Sequence, residues 1–139
     1  GLRDMTPEET KKVRTGTALA LRAAAMANTC REVGVGFAIE NPKPREGHPS
    51  MFYFPEFDRL QQHDDITTYD FVQCHLGAKT SKPTRIISNM LLHNLPDACG
   101  HPPLWWRIPW SGEWHWGAHP PLRGTQWAIP ADDWGDRLW

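Results

Sequence analysis

Val35-Gly36-Phe37-Ala38-Ile39-Glu40-Asn41-Pro42 is a nearly continuous apolar run that stops on two polar residues and a proline. Such a run predicts a short strand over 35–39 covered on both faces, the usual state of a strand inside a parallel sheet. Polar groups at the carboxyl end of a strand of this kind sit where open α/β sheets present ligand contacts. Upstream, Thr6-Pro7-Glu8-Glu9 predicts a helix start: Thr6 caps, Pro7 fits the first turn, and Glu9 holds the capping-box position. The helix should run to about Val33, with Val13, Leu19, Ala20, Ala23, Ala24, Ala27 and Cys30 forming a small-residue face suited to close packing on a sheet. Gly34 supplies the positive φ that ends helices. Gly16 costs about 1 kcal/mol relative to Ala inside a helix, which leaves room for a break or a later start near Thr15.

Downstream, Pro42, Pro44 and Pro49 predict an extended loop. A short helix over 54–62, begun at Pro55, is followed by strands over 66–74 and 84–88. The expected fold class is α/β: a small partial Rossmann-like sheet of three to four strands with flanking helices over 1–100, then a loop-rich Trp/Pro strap over 101–139.

The chain has 139 residues, enough for one modest core. Lys plus Arg number 15 against 16 for Asp plus Glu, so no net field draws the molecule onto nucleic acid or an anionic membrane. No run approaches the ~20 apolar residues of a membrane helix, and 1–9 lacks the basic-then-apolar pattern of a secretory signal. A soluble intracellular protein without a targeting peptide is expected. The three cysteines, Cys30, Cys74 and Cys99, leave one unpaired, which favours a reducing compartment.

Three segments carry a resemblance: 36–42, Gln73-Cys74-His75-Leu76-Gly77 and Lys82-Pro83-Thr84-Arg85. In order and spacing over 14–100 they resemble the rear half of phage-type and retroelement-borne cytosine-5 DNA methyltransferase-like domains. The stretches 108–112, 117–124 and 126–130 are similar to segments that follow such domains in polyproteins of dinoflagellate-type algal retroelements. The resemblance implies base contact for Glu40 and loop geometry for Asn41. The alternative for both is local: Glu40 caps a neighbouring backbone and Asn41-Pro42 turns the chain. Methylation at carbon 5 further requires a thiolate, which the family places in a Pro-Cys dipeptide, and a glycine-rich turn after the first strand. No cysteine here follows a proline, and Gly34-Val35-Gly36 precedes its strand. The expectation is therefore a non-catalytic remnant of the fold. A degenerate S-adenosylmethionine-dependent DNA methyltransferase fragment of a mobile element, or an accessory subunit of an algal organellar complex, are the alternatives.

Cys74, His75, Cys99 and His101 are ligand types that zinc prefers, and Cys99-Gly100-His101 offers two donors from one turn. Neighbours on a strand point to opposite sides, so Cys74 and His75 share a metal only where the strand ends between them. The alternative is a buried thiol with surface imidazoles, and no resident cofactor is expected. His48, His63 and His93 show no partner pattern. His115 and His119 lie amid Trp and Pro, where stacking or a backbone hydrogen bond accounts for them. Ser111 lacks the strand-turn-helix setting of a nucleophile elbow.

All 8 Trp lie between Trp105 and Trp139, together with 6 Pro from Pro102 to Pro130. No helical or alternating period is long enough for a regular element. Each ring can bury about 150–250 Å², and so many exposed rings exceed what a soluble monomer tolerates. Either the strap completes the core, with Trp105, Trp106 and Trp110 innermost, or it binds a partner. For the second case Trp114, Trp116, Trp127, Trp134 and Trp139 are the candidate anchors, with Arg107, Arg123 and Arg137 as polar companions. A larger protein assembly is the expected partner. Nucleic acid is disfavoured, because the segment holds 3 Arg against 4 acids.

Overall fold

The computed structural model describes residues 5–78, 80–108 and 111–120. The chain forms two compact units: Gly1–Ile39, Pro44–Thr67 and Ile87–Met90 in one, Glu40–Lys43, Thr68–Ile86 and Leu91–Trp139 in the other. It mixes helix and sheet, in the order α1 (Pro7–Glu32), β1 (Ala38–Pro42), α2 (Pro55–Gln61), β2 (Thr67–Val72), β3 (Pro83–Ser88), β4 (Leu104–Arg107) and β5 (Trp114–Gly117). No helix among the described residues is long and apolar enough to cross a membrane.

In the first unit, α1 starts at the expected capping box. Thr6 Oγ1 accepts from Glu9 N, and the Glu9 carboxylate accepts from Thr6 N at 2.9 Å. The helix passes through Gly16 unbroken, so neither a break nor a start near Thr15 occurs. It ends in a Schellman arrangement: Val35 N donates to Cys30 O, Gly34 N donates to Arg31 O, and Gly34 takes φ 72°. Its buried stripe is Ala20, Ala24 and Ala27. Val13 and Leu19, expected on that face, are exposed: Leu19 lies about 100° around the helix from Ala20, and Val13 two turns before the packed section. The alanines join Phe37, Phe52, Phe57, Leu60, Ile66 and Ile87 in one apolar cluster. Phe52 meets Phe57 edge-on at 5.8 Å between ring centroids. Burying a side chain such as Phe57 or Leu60 contributes roughly 1.5–3 kcal/mol, so this cluster is the main stabilising element of the unit.

The strand expected over 35–39 begins three residues later. The Asn89 side chain takes the place of a strand neighbour there: its Oδ1 accepts from Phe37 N at 2.8 Å and its Nδ2 donates to Val35 O at 2.9 Å. β1 is half-covered rather than buried on both faces, and Glu40, Asn41 and Pro42 lie within it instead of past its end.

The three-stranded sheet has the order β1-β3-β2. It is antiparallel, which corrects the parallel, Rossmann-like expectation. Gln73 N donates to Lys82 O, Arg85 pairs with Asp70, and Lys43 N donates to Pro83 O, so residue numbers rise on one strand as they fall on its neighbour. The link from Val72 to Pro83 is shorter than the dozen or so residues that a parallel crossover requires. Pro83 opens β3, a position where its missing N–H costs no ladder bond.

In the second unit the described part of the tail, 101–108 and 111–120, is more regular than its composition suggests. β4 and β5 form an antiparallel hairpin with Leu104 opposite Gly117, Trp105 opposite Trp116, Trp106 opposite His115 and Arg107 opposite Trp114. Ile108 N donates to Glu113 O and Gly112 N to Ile108 O, with Gly112 at φ 72° closing the turn. Strands of four residues are too short to show a period, and Trp on both faces hides the alternation that exists.

A candidate metal centre

β2 ends at Val72, and the chain tightens into a single 3-10 turn, Gln73–Leu76, closed by Gly77 at φ 93°. Gln73 fixes this turn. Its side chain is fully buried, its Nε2 donates to Thr84 Oγ1 at 3.0 Å, and that hydroxyl donates to Lys82 O at 3.1 Å. Cys74, next along, is thereby turned inward and buried.

Two further segments converge on Cys74. Cys99 and His101 come from the irregular stretch before β4, with His101 Nδ1 and His101 N each 3.4 Å from Cys99 Sγ. His119 follows β5 and places Nε2 at 3.0 Å from Cys99 Sγ. The His101 and His119 rings stand nearly perpendicular, 5.0 Å apart at their centroids. One donor atom from each of Cys74, Cys99, His101 and His119 lies within 4.8 Å of all the others. Tetrahedral zinc, with Zn–S near 2.3 Å and Zn–N near 2.0–2.1 Å, needs donors about 3.3–3.8 Å apart. The wider pairs, up to 4.8 Å, would close by about 1 Å and the 3.0 Å Cys99–His119 pair would open by about half an ångström to reach that spacing.

Burial, reinforced by the neighbouring Cys99, pushes the Cys74 thiol up to about 11. In the metal-free protein it is a neutral thiol at pH 7, the opposite of an activated nucleophile.

His75, expected in the set, is absent from it: Nε2 lies 2.9 Å from Ala98 O, which braces the stretch leading to Cys99. His119 takes the fourth position. Its Trp- and Pro-rich surroundings suggest stacking or a backbone hydrogen bond instead, and no local spacing marks it as a donor, since 20 residues separate it from Cys99. A cavity of about 310 Å³ opens beside Cys99 and His119, walled by Thr80, Ser81 and His115.

The other expected residues fall as follows. Glu40 lies on β1, half-buried, with Lys82 Nζ 3.8 Å from its Oε1; burial raises its carboxyl above the usual range. Asn41 is half-buried beside it on the strand. Arg107, Trp114 and Trp116 share one face of the hairpin with Trp105, because paired residues and residues two apart point the same way. Trp105, Trp114 and Trp116 are 63%, 65% and 54% exposed, so Trp105 does not serve as a core residue. The opposite face carries Trp106, whose Nε1 donates to Gly117 O at 2.9 Å, and His115, both half-buried. Trp110, Trp127, Trp134, Trp139, Arg123 and Arg137 lie outside the described residues.

Compared with known proteins, the chain matches no family model, and no curated protein or solved structure is significantly similar to it.

Proposed function

We propose that this chain is a non-catalytic adaptor that docks on a partner protein through the Trp105, Arg107, Trp114 and Trp116 face of its hairpin. The carrying observation is that face itself: three indoles, each more than half exposed, flank an Arg on two paired strands. Trp and Arg are the residues most often found as interface anchors, and a paired, Pro-flanked hairpin loses little conformational entropy when it docks. Protein fits this face better than nucleic acid, because among the described residues Arg107 is the one basic residue on it, whereas strand binders add a basic groove to their aromatics. Four protein donors around the Cys74 cluster would leave a bound metal no open position, which fits a structural role.

A photo-crosslinking residue in place of Trp116, in cells of the source organism, tests this directly. The expected result is one discrete adduct, absent when the same residue replaces Tyr53, an exposed aromatic of the first unit. No adduct at Trp116, together with a monodisperse monomer by light scattering and full shielding of the indoles from acrylamide, would overturn it.

A second reading, the methyltransferase-like fragment, draws support from Glu40, whose Oε1 is buried and takes no hydrogen bond. Calorimetry with S-adenosylmethionine separates the two: micromolar binding would favour the fragment.

A further inference from the structure

Three segments of the second unit meet at the cysteine–histidine cluster: the turn after β2, the stretch before β4, and the exit from β5. Residues 91–103 between β3 and β4 contain no helix or strand. A stretch of that length without its own elements is uncommon in a compact unit and often belongs to a functional site. Val72 N donates to Pro96 O and Leu92 N to the Tyr69 hydroxyl in its first half, and the His75 ring at Ala98 O braces it just before Cys99, which carries Cys99 and His101 to the cluster.

We propose that Cys74, Cys99, His101 and His119 bind one Zn²⁺ as a closed, structural four-coordinate site that ties the hairpin to the end of β2. The donor chemistry selects the ion. Two thiolates with two imidazoles in a tetrahedral arrangement suit Zn²⁺, whereas hard cations such as Mg²⁺ and Ca²⁺ take oxygen donors. On binding, each cysteine Sγ–H bond gives its proton to solvent, both imidazoles bind as neutral rings, and two thiolates balance the dication. The cavity beside Cys99 and His119 gives the ion a path to the donors. The site joins residues far apart in sequence, so the ion acts as a cross-link between three segments of this unit. The inference is independent of whether the hairpin docks on a protein.

The test is metal analysis of the full chain purified without chelator, followed by titration of the metal-free protein with Zn²⁺ alone and with Co²⁺ as a spectroscopic probe. The expected result is one zinc per chain and a tetrahedral cobalt spectrum with thiolate charge-transfer bands. Cys74→Ser should weaken Zn²⁺ binding by more than ~100-fold, beyond the ~10–100-fold typical of residues that only support a ligand. The wild-type cobalt spectrum decides the matter even where Cys74→Ser fails to fold. A chain without stoichiometric zinc and with octahedral cobalt, or a folded Cys74→Ser variant binding Zn²⁺ as tightly as wild type, would overturn the proposal.

Discussion

Cys99 Sγ and His119 Nε2 stand 3.0 Å apart across 20 residues of chain, with the whole β4–β5 hairpin between them. The hairpin is therefore closed twice, by its own ladder at Trp105–Trp116 and by side chains at its base. The Trp face is presented from an anchored platform, and loosening the base should disturb that face without touching a tryptophan.

His75 and His119 separate two ways of using the same sequence. His119→Ala removes a donor and should weaken Zn²⁺ binding by more than ~100-fold, while His75→Ala removes a brace to Ala98 O and should cost no more than the ~10–100-fold of a supporting residue. Competition with a zinc chelator measures both. Equal losses would show that His75 contributes a donor.

Asp70 makes stability depend on acid. Arg85 hydrogen-bonds both Asp70 oxygens, at 2.7 and 2.9 Å, and Lys43 Nζ adds a contact at 3.1 Å, holding the carboxyl below its ordinary value. A folded-state pKa below the unfolded one contributes stability that is present above about pH 4 and lost as pH falls through the folded value. Asp70→Asn should destabilise by about 1–3 kcal/mol at pH 7, and the gap from wild type should close toward pH 3. Urea midpoints at the two pH values report it.

Glu40 has the opposite sign. Burial raises its carboxyl more than Lys82 lowers it. The stability linked to this group is present below the ordinary glutamate pKa and lost as pH rises through the higher folded value, so ionised Glu40 weakens the fold at pH 7. Glu40→Gln should leave the unfolding free energy at pH 7, read from urea titration, unchanged or raise it by up to ~1 kcal/mol. A loss above that would mean that the Lys82 contact outweighs desolvation.

Legibility in the sequence followed how local each signal was. The capping box at Thr6 and Glu9, the stop at Gly34, and the short helix from Pro55 each depend on a few neighbouring residues, and they stand close to where the sequence places them. The antiparallel order was hidden because the apolar run at 35–39 carries the pattern of a buried parallel strand, while Asn89, 52 residues from Phe37, decides where β1 begins. Three of the four cluster donors were visible as residue types. The fourth was not, because β4 and β5 had to pair before His119 could reach Cys99, and four-residue strands carry too little pattern to announce that pairing.

X-ray absorption at the zinc edge on the purified chain tests the central claim most directly. Two sulfur scatterers near 2.3 Å and two imidazole nitrogens near 2.0–2.1 Å are predicted. A shell of oxygen and nitrogen alone would contradict a site built from Cys74, Cys99, His101 and His119.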